Sequence, residues 1–231
     1  MERHFHEQLE EFHANLLKMA SLVEANLGRA FLALKNQDKA MAQEVIENDR
    51  KIDELEIIND EQAIDLLALN QPMAGDLRRI TTGMHINSEL EMMADLIVNI
   101  AQRAIELADQ PLVKPLQDID RLTGIAKRMI REVSDAFIKR DLALAKSVIV
   151  SDKESNDLRD AIIEELINDY MMKDGSVTPR AVPLLLVARD LERICDFTVT
   201  MAQDVVYMIQ ARMVKHHPER LENGQDSDSR E

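Results

Sequence analysis

Two stretches of the chain set a glutamate and an aspartate four residues apart in nearly the same apolar surroundings. They are ELEMMADLIVNIAQ, from Glu89 to Gln102, and DLERICDFTVTMAQ, from Asp190 to Gln203. On a helix, positions i and i+4 share a face about one turn apart, so Glu91 projects with Asp95 and Glu192 with Asp196. Upstream stand a similar pair, Asp49 and Asp53, and its counterpart, Asp152 with Asn156, next to Asp157. Helices carrying these residues side by side would gather up to four carboxylate or amide groups at each place. Carboxylates held together repel, and burial pushes them toward the protonated form unless a cation stands among them. An all-oxygen donor set without Cys, and with no His in register, selects hard or borderline ions such as Mg²⁺, Mn²⁺ or iron. Two plainer readings stay open: a solvated acidic face, or surface ion pairs with Arg193, Arg78 or Arg79, which contribute little.

The elements that position these acids come from a duplication. At an offset of 101 the two stretches share Leu90/Leu191, Glu91/Glu192, Asp95/Asp196, Val98/Val199, Ala101/Ala202 and Gln102/Gln203. At an offset of 103, NQDKAMAQEVIENDRKIDEL falls on KRDLALAKSVIVSDKESNDL, with Asp38/Asp141, Asp49/Asp152 and Leu55/Leu158 among the identities. A repeat of roughly 100 residues is the size of a small domain and too long for a solenoid unit. Phe5, Leu9, Phe12, Leu16, Met19, Val23, Leu27 and Phe31 recur every three or four positions, the spacing of one helical face. Asp38 and Asp141 stand where a helix N-cap is expected. LNQPMAGD and MMKDGSVTPR break the chain before the third helix of each unit, and ADQPLVKPLQD joins the units.

The predicted fold is all-α, with two tandem three-helix bundles. Residues 1–110 form the first, 116–215 the second, and 216–231 a polar, disordered tail that holds His216 and His217. Gly28, Gly83 and Gly124 fall inside helical pattern, where close helix contact would account for them. His85 reads as a surface or half-buried residue. His4, His6 and His13 lie near a frayed start, where Glu10 and His13 make one Glu-x-x-His spacing. The arginines of GDLRR lie near a helix N-terminus, where an anion can bind, but read as surface residues.

Composition narrows the function classes. Six glycines, six prolines, no tryptophan and 3% aromatics in 231 residues favour helix over sheet. A formal charge of −15 argues against nucleic acid or an anionic lipid surface, both of which need clustered Lys and Arg. No apolar run approaches the roughly 20 residues that span a bilayer, and MERHFHEQLEEF does not read as a signal peptide. The single cysteine, Cys195, excludes an internal disulfide and fits a reducing, cytoplasmic compartment. No nucleophile–base pair, Gly-rich phosphate loop or cofactor motif stands out, so no enzyme activity is predicted.

With DLERICD beside IENDRKIDELE, the chain resembles the PhoU family of bacterial phosphate-uptake regulators over about residues 5 to 212. That family is built from two tandem three-helix units with acid-x-x-x-acid motifs on their second and third helices. The resemblance implies a cytoplasmic, non-enzymatic negative regulator of the phosphate-starvation response. It would act as an adaptor between the ATPase subunit of the phosphate ABC transporter and a membrane sensor histidine kinase, as a homodimer. It further implies bound metal, whether iron, zinc, magnesium or manganese, with Asp49, Asp53, Glu91 and Asp95 at the first site. Asp152, Glu192 and Asp196 would form the second. Two departures stand out: Met92 follows Glu91 where the family often has Arg, as Arg193 follows Glu192, and Asn156 replaces an acid, weakening the second site or moving a ligand to Asp157. The competing classes are a metal-free helical scaffold and a di-iron carboxylate oxidase, the latter needing paired Glu-x-x-His motifs.

Overall fold

The computed structural model describes residues 2–212, and side chains from His4 onward. The predicted tail at 216–231, with His216 and His217, lies outside the described residues. Unit one consists of α1 (Glu2–Asn36), α2 (Lys39–Asn48), α3 (Arg50–Asn70) and α4 (Ala74–Leu107). Unit two consists of α5 (Gln117–Lys139), α6 (Leu142–Glu165), a π-helical turn at Leu166–Met171, a short 3₁₀ turn at Gly175–Val177, and α7 (Thr178–Gln210). Asp49, between α2 and α3, keeps helical dihedrals (φ −56°, ψ −40°), so the two make one second helix with an irregularity on an acid of the motif. Among the described residues there is no strand, and no helix is long and apolar enough to cross a membrane.

The turn between the first and second helices is the same object twice. Gln37 (φ 56°) and Arg140 (φ 52°) take left-handed backbone, which lets the next residue fold back onto the helix just ended. The amide of Asp38 donates to the Ala33 carbonyl, and that of Asp141 to the Ala136 carbonyl, both at 2.9 Å. The Asp38 carboxylate then accepts from the Met41 amide and that of Asp141 from the Leu144 amide, both at 3.0 Å. Both predicted N-caps are therefore made, satisfying amides that begin a helix with no intrahelical partner.

The two units do not keep separate cores. α1 packs on α4 and on α5, and α7 packs on α4 and on α5, so four helices close a central ring. The second helices lie outside it: α2 and α3 cover α1 and α4, and α6 covers α5 and α7. Phe12, Met19 and Leu27 of α1, Leu90 and Ile97 of α4, Met129 and Val133 of α5, and Leu191 and Ile194 of α7 belong to one buried cluster. Each such side chain contributes about 1.5–3 kcal/mol relative to exposure. Each ring helix meets its own duplicate head to tail. Lys35 reaches Asp120 at 3.0 Å, while His13 stacks edge-on against Phe137 near the other end of the α1–α5 pair. Arg103 pairs with Asp190 and His85 with Asp204 (3.4 Å) along the antiparallel α4–α7 pair.

Three local expectations change. His13 does not lie in a frayed start: α1 is helical from Glu2, and His13 is 5% exposed among ring helices. Gly124 is not a close contact, because nothing lies within 4 Å of where its Cβ would stand. Gly83 is one, since a Cβ there would come within 2.5 Å of Phe12 Cε1. At Gly28 the neighbour is the flexible end of Lys127, 3.2 Å away.

Candidate functional site

Asp49 and Asp53 sit at the start of α3, and Glu91 and Asp95 in the middle of α4, which packs along it. The structure brings these four predicted acids together. Asp49 is pushed up to about 6, by partial burial first, then by Asp53 and Asp95. Glu91 is pushed up by burial, then by Asp95, Glu56, Asp53 and Asp49. Glu56 belongs to the same group and was missed from sequence; burial raises it, then Asp60, Asp53 and Asp95. No described Lys or Arg makes an ion pair with Asp49, Asp53, Glu56, Glu91 or Asp95. Arg78 instead donates to the Met208 carbonyl at 3.3 Å, and Arg79 lies 3.5 Å from His13 Nδ1. The reading of these arginines as partners of the acids is therefore corrected.

Below the acids, a pair of buried amides ties α3 to α4. Asn59 donates to Asn87 Oδ1 at 2.8 Å, and Asn87 donates to the Glu56 carbonyl and to Asp60 Oδ1, both at 3.0 Å. Such a bond to the main chain holds Glu56 in register with α4. Unit two has Ile162 and Ala188 at the aligned positions, so the amide pair is peculiar to unit one.

The second groove, between α6 and α7, is built differently. Arg159 donates through one terminal nitrogen to Glu192 Oε1 (2.9 Å) and through the other to Asn156 Oδ1 (3.2 Å). Its Nε lies 2.8 Å from Asp160. Asn156 donates to Asp152 Oδ2 at 2.9 Å. Burial raises Asp152, against the pull of Arg159 and of hydrogen bonding with Asn156 and Asp196. Asp196, at the open edge, is pushed up to about 6 by partial desolvation and then by Glu192 and Asp152. The predicted trio is thus brought together with Arg159 in its midst, while the exposed Arg193 acts on Asp196 as a nearby charge. Asp157 is exposed and takes no part in this chain of bonds. Cys195, buried beside Ser155, has its thiol pushed up to about 12 and is no nucleophile.

Chemically, the groove of unit one gathers carboxylate oxygens, the donor type a hard cation takes, mutually repelling and without an internal counter-charge. Among the described residues, no three His, Cys, Asp or Glu side chains stand close enough as placed to hold one ion. Holding one ion would require these carboxylates to move closer together. The Glu-x-x-His spacing of a di-iron oxidase does not form a ligand pair, because Glu10 is exposed while His13 is buried against Phe137.

The same arrangement recurs in known proteins. The PhoU domain model matches the chain twice, at residues 16–104 and 119–205, one match to each unit. The phosphate-specific transport system accessory protein PhoU homolog of Aquifex aeolicus is 39% identical over 90% of this chain and 94% of its own. The accessory protein PhoU of Escherichia coli is 30% identical over 97% of this chain and 94% of its own. The crystal structure of PhoU from Pseudomonas aeruginosa superposes with a TM-score of 0.86 at 32% identity, covering 90% of this chain and 100% of that one. A structure described as the phosphate transport system regulatory protein PhoU from Streptococcus pneumoniae gives 0.84 at 27% identity, covering 91% and 99%. Matched in both halves by one family's domain and across most of its length by that family's members, this chain belongs to the PhoU family.

Proposed function

We propose that this protein is an accessory protein of a phosphate-specific transport system and a negative regulator of the phosphate-starvation response. It works by contact: a cytoplasmic homodimer that reads the state of the transporter's ATPase subunit and restrains the sensor histidine kinase when phosphate is plentiful. The observation that carries this reading is the family match across both units, with relatives named for the phosphate-specific transport system. One feature of the molecule supports a role through surfaces. Ile57 and Ile64, 58% and 56% exposed and two turns apart on the outer helix α3, offer apolar area of the kind a protein partner covers.

A hard cation completes the groove of unit one, held by Asp49, Asp53, Glu91 and Asp95, with Glu56 beside them. When bound, the ion neutralises the repulsion among these oxygens and ties α3 to α4. Deleting the gene tests the regulatory role. Alkaline phosphatase and phosphate-uptake genes should rise in high phosphate, and unchanged expression would end the idea. Metal analysis of protein purified without chelator, before and after Asp49→Ala and Glu91→Ala, tests the groove. Metal content indifferent to both substitutions would leave a metal-free helical scaffold.

A further inference from the structure

We infer that Arg159 is a built-in counter-cation, so that the two grooves are unequal: the groove of unit one takes an external metal ion, and that of unit two supplies its own positive charge. This inference rests on the metal reading of unit one and concerns what the duplication did to that site.

The aligned positions make the case. Unit one has Asp49, Asp53, Glu56, Glu91 and Asp95; unit two has Asp152, Asn156, Arg159, Glu192 and Asp196. Five carboxylates thus face three carboxylates, one amide and one guanidinium, formal charges of −5 and −2 at the same places in the fold. Arg159 stands where unit one has Glu56, and its side chain is only 23% exposed. Its two terminal nitrogens contact Glu192, from the third-helix motif, and Asn156, from the second-helix motif. A guanidinium is always charged and presents a rigid fork, so it bridges the two helices in the way a cation would. It also uses up donors. Glu192 Oε1 is engaged at 2.9 Å, and Asp152 Oδ2 is engaged by Asn156 at 2.9 Å. A divalent ion entering here meets a fixed like charge in a half-buried setting, where salt screens poorly. Packing alone does not call for an arginine at this position, because α3 lies along α4 in the same manner with Glu56 there.

Mn²⁺ binding to the full chain after chelation, followed by calorimetry and by the electron paramagnetic resonance of free Mn²⁺, tests the inference. Mn²⁺ bound by the wild type should vanish in the Glu91→Gln/Asp95→Asn variant and persist in Glu192→Gln/Asp196→Asn. Arg159→Glu, which places the unit-one residue at this position, should bind additional Mn²⁺ at least tenfold more tightly than any second wild-type site, and adding Glu192→Gln should abolish the gain. Arg159→Leu, which removes the charge without adding a ligand, should move the same way by less. Melts followed by circular dichroism establish that each variant is folded, and Arg159→Leu carries the test if Arg159→Glu is not. Wild-type protein binding Mn²⁺ equally through both grooves, or a folded Arg159→Glu with no added binding, overturns the role of Arg159. Binding by Arg159→Glu but not by wild type supports Arg159 and sinks the metal reading of unit one. No binding by either sinks both.

Discussion

Asp49 shows what the arrangement costs a single residue. Its carboxyl ionises at about 6 in the folded chain, against 3.8 ordinarily, because burial and the charges of Asp53 and Asp95 oppose ionisation. The folded state therefore holds a proton that the unfolded state has already lost between those values. The contribution of Asp49 to stability is full below about 4 and is lost as pH rises through 6. In chelator at pH 7.5, Asp49→Asn should melt a few degrees above the wild type, and the difference should vanish by pH 4. If a cation answers the repulsion, saturating Mn²⁺ should raise the wild type past the variant. Thermal melts at both pH values, with and without metal, check all three expectations. The acid pairs were legible because they recur at fixed offsets in two copies. Glu56 and Arg159 fall at the same offset of 103, one residue beyond those aligned stretches, as one polar residue each of opposite charge. Only the packing of α3 on α4 and of α6 on α7 shows both pointing into the grooves.

At the scale of elements, the duplicated turn offers a clean test of backbone strain. Arg140 holds a left-handed φ of 52° without the freedom of glycine, a conformation that costs an ordinary residue about 1–2 kcal/mol. Arg140→Gly relieves it at the expense of greater unfolded-chain entropy, for a net gain of about 0.5–1 kcal/mol, or about 1–4 °C in a thermal melt. The aligned Gln37→Gly should give less, because the Gln37 side chain donates to the Leu107 carbonyl (3.2 Å) and to that of Gln110, closing the end of α4. Helix limits were readable here because caps and breakers are local chemistry: Asp38 and Asp141 both cap, and both Pro/Gly breaks fall before third helices. The irregularity at Asp49 and the π-helical turn at Leu166–Met171 were not, since neither carries a glycine or proline.

At the scale of the molecule, the duplicates close on each other through an ion pair that only packing reveals. Arg103 of α4 and Asp190 of α7 are 19% and 10% exposed and lie 87 residues apart. Asp190 is raised by burial even with Arg103 beside it, so its charge depends on that partner. Arg103→Ala should destabilise the chain by about 3–5 kcal/mol, whereas replacing both residues with leucine should come close to neutral. Chemical denaturation of the two variants distinguishes a specificity device from a net source of stability. A single cooperative transition for the wild type would also follow from one core shared by both units.

The sequence by itself determined the helices, their duplication, the caps and the pairing of acids at i and i+4. Each of these follows from periodicity and side-chain chemistry within a turn or two. The tertiary structure decided which duplicates meet, that α1 and α4 pack on α5 and α7 to merge two bundles into a ring, and that His13 is sealed inside it. It also decided that Glu56 and Arg159, at like positions, each join the acids of their own groove. Contacts between residues tens of positions apart depend on how helix faces fit together, and no local pattern encodes the sign of the charge that will meet a carboxylate across a groove.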